Sequence, residues 1–538
     1  MIIPEKNLMK LANGSDVRGV AMEGVADEPV NLSIEAANVI ASGFIQFLAE
    51  RTGKAKKDLR IAVGRDSRLS GHALKKSVLQ ALTAAGVVTV DCSMASTPSM
   101  FMSIVFPETK MDGSIMITAS HLPYNRNGLK FFTKDGGVEH EDVITILQNA
   151  SRCPVIEGDL AKVQKYNLME RYCHHLRKKI RTALGGENEP LKGMHVVVDA
   201  GNGAGGFFAT QVLGRLGADT TGSIFLEPDG HFPNHIPNPE NKQAMEAIRK
   251  AVLDSHADLG LIFDTDVDRM SAVLKNGKEV SRNALIGMMA AILAPDYPGS
   301  TIITDSVTSD ELTVFLEEDL GLKHMRYMRG YKNVIDECIR LNKEGTVSPL
   351  AIETSGHGAL SENYYLDDGA YLAVKLLIAA AEAVHQIERA PGFGVHPNGK
   401  PRIDGHEVMG RVKRERDRFV GFVLEGVESI PAEDKISGYA RFIDAHTVQV
   451  DEHTLIRAQR IVIATGSRPS WPAAWNELGD RLIINDDIFA WETLPKSVAV
   501  FGTGVIGLEL GQALTRLGVK VKLFGRGNRI GGISDPSV

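Results

Sequence analysis

The chain is predicted to be an α/β protein, on two observations. Residues 10–150 alternate helical and strand patterns, with 32–51 and 71–85 reading as helices and 59–64 and 87–92 as strands. This βαβ wiring lays helices on both faces of a sheet and gathers ligands at the strand ends. The apolar runs 113–117, 259–263 and 349–352 each stop at a polar loop, as buried strands do. A second unit of the same kind begins near Tyr166 and carries a strand at 195–199, and a third runs from about 280 to 374.

Composition sets the bounds. A length of 538 residues implies about three to five domains, and 43% apolar residues suffice for ordinary cores. With 60 basic against 67 acidic residues, nothing argues for a nucleic-acid partner. Cys92, Cys153, Cys173 and Cys338 show neither metal-ligand nor Cys-x-x-Cys spacing and read as reduced intracellular thiols. Residues 1–10 lack the apolar core of a signal peptide, and no run reaches about 18 apolar residues. A cytoplasmic protein without a membrane span is expected.

Three loops carry chemistry. Ser120 lies in Thr-Ala-Ser-His-Leu-Pro-Tyr-Asn-Arg-Asn-Gly-Leu-Lys, 118–130, directly after the run at 113–117. A free hydroxyl is a weak nucleophile and needs a base, a metal or a preloaded group, and by itself the stretch reads equally well as an ordinary loop. Asp264, Asp266 and Asp268, followed by Arg269, leave the run at 259–263. Carboxylates at alternate positions on a tight loop are hard oxygen ligands suited to magnesium, the competing account being a solvated acidic turn. An EF-hand is excluded, since no glycine stands at the sixth position and no glutamate at the twelfth. The third loop, Glu353-Thr354-Ser355-Gly356-His357, suits a polyol: its carboxylate accepts from hydroxyls and its histidine moves protons near neutral pH.

In this order the loops resemble those of the α-D-phosphohexomutases, the phosphomannomutases and phosphoglucomutases, over about residues 10–374. The resemblance implies that Ser120 is carried as a phosphoserine and that Asp264, Asp266 and Asp268 hold Mg2+ against its phosphate, with Arg269 steadying it. It further implies that Glu353 and Ser355 contact sugar hydroxyls, that His357 lies close to the transferring oxygen, and that Arg18, His121 and Lys130 line the same site. Gly330 and Tyr331, in Met-Arg-Gly-Tyr-Lys at 328–332, match the loop that senses the sugar's orientation. Thr265 stands where the family commonly has glycine, which would tighten the metal loop without removing a ligand. Gly201-Asn202-Gly203-Ala204-Gly205-Gly206 satisfies a nucleotide-binding pattern after a strand. It sits where the mutases begin their second domain, and no acidic strand end follows at suitable spacing, so a nucleotide is not expected there. The polar stretch 227–234 reads as a surface loop.

After Lys375 the resemblance changes to the flavin disulfide reductases, closest to dihydrolipoamide dehydrogenase. It rests on residues 375–383, 391–397, 461–469 with Thr465 and Gly466 on a flavin-contacting loop, and 501–507 with Gly502, Gly504 and Gly507 on a nicotinamide-nucleotide turn. That family's first flavin-binding turn and its redox cysteines have no counterpart, since no cysteine follows Cys338. The run 519–524 ends in Gly525-Arg526 where an acidic residue would hold a ribose hydroxyl, which favours a nucleotide bearing a 2′-phosphate. On the mutase side no Arg-x-Ser-x-Thr loop, the family's grip on the non-reacting phosphate, occurs in the sequence. Losing that grip removes remote binding energy that orients the sugar.

The expected architecture is therefore α/β, three consecutive mutase-type domains at 1–150, 160–278 and 279–374, then a partial flavin-domain-like region at 375–495 and the start of a nucleotide-binding βαβ unit at 496–538. The expected function is interconversion of hexose 1-phosphates and 6-phosphates, of glucose or mannose, through a phosphoserine and a bisphosphate. The partners are small sugar phosphates and the cofactor is Mg2+, with FAD and NAD(P) as residual candidates. The alternatives are a dihydrolipoamide dehydrogenase-like flavoprotein and a non-catalytic fusion.

Overall fold

Strand Gly113–Ile117 is buried along its whole length inside an eight-stranded sheet, in a computed structural model that describes residues 1–396 and 402–525. The order across that sheet is Ala12–Asn13, Asp16–Val20, Arg126–Thr133, Gly113–Ile117, Arg60–Arg65, Val88–Met94 and Gln164–Lys165, with Gly136–Gly137 beside Arg126–Thr133. Arg60–Arg65 runs parallel to both Val88–Met94 and Gly113–Ile117, opposing Arg65 to Ile117. The segments leaving these two strand ends, 65–68 and 118–125, therefore emerge side by side. Helices Ile34–Thr52, Gly71–Ala84 and His140–Ser151 cover one face, and Thr97–Val105 covers the other.

Two smaller sheets repeat the theme. One has the order Glu279–Val280, Met270–Leu274, Leu259–Phe263, Val196–Asp199, and the other Lys323–Tyr327, Thr301–Asp305, Leu350–Ile352, Gly358–Leu360, Leu366–Asp367. One feature of all three sheets is not apparent in the sequence. Each chemistry-bearing loop closes an antiparallel hairpin, returning along Arg126–Thr133, Met270–Leu274 or Gly358–Leu360. A hairpin fixes both ends of its loop to one register, which holds the polar residues in place. A continuous apolar core, from Ala62 through Phe208 and Phe263 to Leu377, lies beneath the three sheets.

The predicted elements are present with bounds shifted by a residue or two. The strand expected at 195–199 is Val196–Asp199, because His195 forms only an isolated bridge with Asp219. Position 375, where the resemblance changes, falls inside one uninterrupted helix, Gly369–Arg389.

The chain divides into two units, Met1–Glu382 and Ala383–Val538. In the second, helix Gly405–Glu428 is followed by a three-stranded antiparallel sheet, Ala440–Asp444, Thr447–Val450 and Thr454–Arg457. Ser497–Phe501 then pairs in parallel with Lys520–Phe524 across helix Val505–Arg516. Gly502 and Gly504 occupy the strand-to-helix turn and Gly507 the first helical turn, as expected. Thr465 and Gly466 lie in an exposed stretch without regular structure. Pro397 and Arg526 lie outside the described residues.

Close packing of helices Ile34–Thr52 and His140–Ser151 generates a stability prediction. A Cβ on Gly43 would approach the Ile146 carbonyl oxygen to 2.3 Å and the Ala150 nitrogen to 2.8 Å. Gly43→Ala is expected to destabilise the first unit by about 1–3 kcal/mol through overpacking, read as a lower urea midpoint. An unchanged midpoint would contradict this packing.

Candidate active site

Ser120 opens its hairpin loop in the left-handed region, at φ 50°, and is buried. A non-glycine residue holds that conformation only where its surroundings enforce it. Here the Ser120 amide donates to Thr118 Oγ1 at 2.9 Å. The fully buried Arg68 donates to the carbonyls of Ser120 (2.5 Å), Leu122 (2.5 Å), Pro123 (2.7 Å) and Arg126 (3.0 Å). One guanidinium thus gathers four of the loop's carbonyls, while Glu28 accepts from Asn125 and Arg126 farther along it.

The Ser120 hydroxyl donates to Asp264 Oδ2 at 3.0 Å and accepts from Arg269 Nη2 at 3.0 Å. Asp264, Asp266 and Asp268 are fully buried, with ligand atoms within 4.8 Å of one another. Lys130 donates to Asp268 Oδ2 at 2.5 Å and lies 3.5 Å from Asp266 Oδ2. Thr97, at the start of its helix, donates its hydroxyl to Asp266 Oδ2 at 2.5 Å. These partners leave Asp266 Oδ1 and Asp268 Oδ1 buried without a hydrogen bond. Buried carboxylate oxygens with no donor, on two of three acids gathered in one loop, fit a hard divalent cation.

The electrostatics agree. Burial, then the charges of Asp268 and Asp266, pushes Asp264 well above the usual carboxyl range. At Asp268 burial also acts upward but is outweighed by Lys130, His357 and Arg269, which hold that carboxyl well below it. Burial lowers Lys130, yet Asp268, Asp266 and Asp16 more than reverse this, so it stays cationic. Burial, reinforced by Arg269 and Arg18, drops His121 to about 4. His121 meets Arg269 through Nδ1, which is 3.4 Å from Ser120 Oγ. His357 donates Nδ1–H to Asp367 Oδ2 at 2.5 Å and stacks on Tyr331 at 4.9 Å. Burial opposes its protonation, but Asp367 and Asp268 raise its pKa on balance.

Ser120, His121, Arg18, Lys130, Arg269, Gly330, Tyr331 and His357 line one cleft of about 400 Å3. Arg18 is held there by Asp16 at 2.7 Å and the Thr118 carbonyl at 3.1 Å. Glu353 and Ser355 stand one step back. Glu353 is occupied by the Gly330 amide (2.6 Å) and the Ser355 hydroxyl (3.1 Å), and Ser355 borders a neighbouring cavity with Glu240 and Lys242. Thr265 is buried with its hydroxyl unpartnered, beside a backbone that accepts from the Ala204 amide at 2.8 Å. The glycine-rich stretch 201–206 therefore buttresses the acidic loop. Sequence reasoning missed Arg68, Thr97 and Asp367 as site residues. Only Arg68 left a signal, in Arg-Asp-Ser-Arg directly after a buried strand.

Three α/β sheets converging a serine, three acids and a cation on one cleft define a phosphohexomutase-class protein. Family models for α/β/α domains I, II and III of phosphoglucomutase/phosphomannomutase match residues 9–152, 170–277 and 281–390. A phosphomannomutase/phosphoglucomutase of Pseudomonas putida is 31% identical over 347 residues, covering 64% of this chain and 70% of that protein. A phosphoglucosamine mutase of Nautilia profundicola is 30% identical, over 77% of this chain and 91% of that protein. The crystal structure of a phosphoglucomutase/phosphomannomutase family protein from Burkholderia thailandensis superposes with a TM-score of 0.59 at 26% identity, covering 71% of this chain and 78% of that one. The chain belongs to the phosphoglucomutase/phosphomannomutase family. Its residues 372–538 match a second model, pyridine nucleotide-disulphide oxidoreductase. Among the described residues, no helix is long and apolar enough to cross a membrane.

Asp268→Asn is expected to weaken binding of a divalent cation by at least about tenfold in a calorimetric titration of the folded protein. Unchanged affinity would contradict the assignment of these acids as the metal-binding group.

Proposed function

We propose that the chain is a phosphohexomutase that interconverts hexose 1-phosphates and 6-phosphates, of glucose or mannose, through phosphorylated Ser120 and a sugar bisphosphate. The observation that carries this is the position of Ser120 Oγ, 3.0 Å from both an acid of the metal-binding group and the Arg269 guanidinium. The bond from Oγ to phosphorus breaks while a sugar hydroxyl bonds to phosphorus, and the hydroxyl proton leaves to a base. The bisphosphate turns over and returns its other phosphoryl group to Ser120. Asp264, Asp266 and Asp268 would hold Mg2+, which supplies positive charge to the phosphoryl oxygens. Arg269 compensates charge at Oγ and Lys130 compensates the acids behind it. His357, oriented by Asp367 with Tyr331 against its ring, is the group best placed to move the proton. Every residue with a role in the transfer lies in the first unit.

The domain division proposed is 1–150 for the Ser120 loop, 160–278 for the acidic loop and 279–374 for the Glu353 loop, followed by a partial flavin-like region at 375–495 and a βαβ start at 496–538. Four free cysteines support a reducing, cytoplasmic setting.

Conversion of glucose 1-phosphate and mannose 1-phosphate to their 6-phosphates, with Mg2+ and a trace of glucose 1,6-bisphosphate, tests this. Turnover is expected, and Ser120→Ala abolishes it with the fold intact. An active alanine variant, or a folded wild type without turnover on either sugar, contradicts the proposal.

A further inference from the structure

The polar stretch 227–234 takes no part in the transfer chemistry, yet it sits against the side chain that gathers four carbonyls of the Ser120 loop. The Phe232 ring centroid is 5.2 Å from the Arg68 guanidinium carbon. Arg68 is 0% exposed and spends both terminal nitrogens on four carbonyls of residues 120–126. Two residues before Phe232, a Cβ on Gly230 would meet the Leu69 nitrogen at 2.5 Å and the Ser67 carbonyl oxygen at 2.6 Å, so this backbone rests directly on 67–69.

The stretch is itself held. Its Asp229 amide donates to the Asn202 carbonyl at 2.9 Å, Asn202 Nδ2 donates to the Glu227 carbonyl at 2.9 Å, and Asn234 Nδ2 donates to Asn202 Oδ1 at 2.8 Å. Phe232 is kept at φ 50°, a conformation that an aromatic residue adopts only under constraint. Asn202 belongs to the same glycine-rich stretch whose Ala204 amide donates to Thr265 at 2.8 Å in the acidic loop. Two segments of the second sheet's domain, joined through Asn202, thus prop the acidic loop directly (201–206) and the Ser120 loop through Phe232 and Arg68 (227–234).

We propose that 227–234 is a positioning bracket for Ser120: Phe232 fixes the Arg68 guanidinium, and Arg68 fixes the backbone that presents the Ser120 hydroxyl to Asp264 and Arg269. Phe232 and Arg68 are positioning residues, not catalytic ones, and the effect on turnover rests on the phosphotransfer function proposed above. A lysine at position 68 offers three donors from a single nitrogen and cannot reproduce the planar fork that spans four carbonyls.

The test uses the full chain with Phe232→Ala and Phe232→Tyr. In Phe232→Ala, amides of 118–128 are expected to exchange hydrogen faster while those around the Glu353 hairpin are unchanged. The kcat for glucose 1-phosphate falls about tenfold or more with KM within about twofold, as expected for a misplaced reacting group. Phe232→Tyr keeps the ring and restores both. Unchanged exchange at 118–128 in Phe232→Ala, or a tyrosine variant that behaves like alanine, overturns the bracket. If the wild type turns over neither sugar, the phosphotransfer reading fails, and the exchange comparison still decides the bracket.

Discussion

Three carboxylates buried side by side are the constraint on which the rest of the site depends. Buried charge is costly unless it is paired and hydrogen-bonded, and acids this close also repel one another. Asp264, Asp266 and Asp268 share one loop, and the groups that compensate them come from several elements. Lys130 comes from the first sheet and His357 from the third, while Arg269 turns back from the end of the acidic loop. Thr97 reaches in from a helix start. The acidic group thus takes partners from each of the first unit's three sheets, which one continuous apolar core holds together. The same convergence leaves Ser120 Oγ between an acid and a guanidinium, where a phosphoryl group can be held and released.

Much of this was legible in the sequence for one physical reason. A strand buried on both faces is a continuous apolar run, and a polar loop that interrupts it marks where the chain turns at a site. Ser120, the alternating acids and Glu353 to His357 all announce themselves this way. Arg68 announces only a polar turn after a buried strand and not its role, which consists of carbonyls that only the parallel pairing of Arg60–Arg65 with Gly113–Ile117 brings within reach. Thr97 was equally silent, since nothing about a threonine at a helix start points to an aspartate in another domain. The antiparallel return strands were missed because apolar periodicity carries no direction. Glu353 shows the converse: its residue type points to hydroxyl donors, and only the structure reveals that its two oxygens also tie the Gly330 amide and the Ser355 hydroxyl together.

The composite nature of the chain has its own physical expression in helix Gly369–Arg389. The domain III model runs to residue 390 and the oxidoreductase model begins at 372, so the two overlap along this helix. Residues up to Ala381 pack into the first unit's core, whereas Val384 and Ile387 are exposed. An amphipathic helix serves either family as long as one stripe is apolar, and so the change from one family's sequence to the other's leaves no break in it.

The central claim is that Ser120 carries the transferred group. It is tested most directly by incubating the full-length protein with glucose 1,6-bisphosphate and Mg2+, mapping phosphate by peptide mass spectrometry, and then adding glucose 6-phosphate. The account predicts one phosphate on the peptide containing Ser120, discharged when the sugar is added. Phosphate on another residue, or a Ser120 peptide that stays unmodified in folded protein, would contradict it.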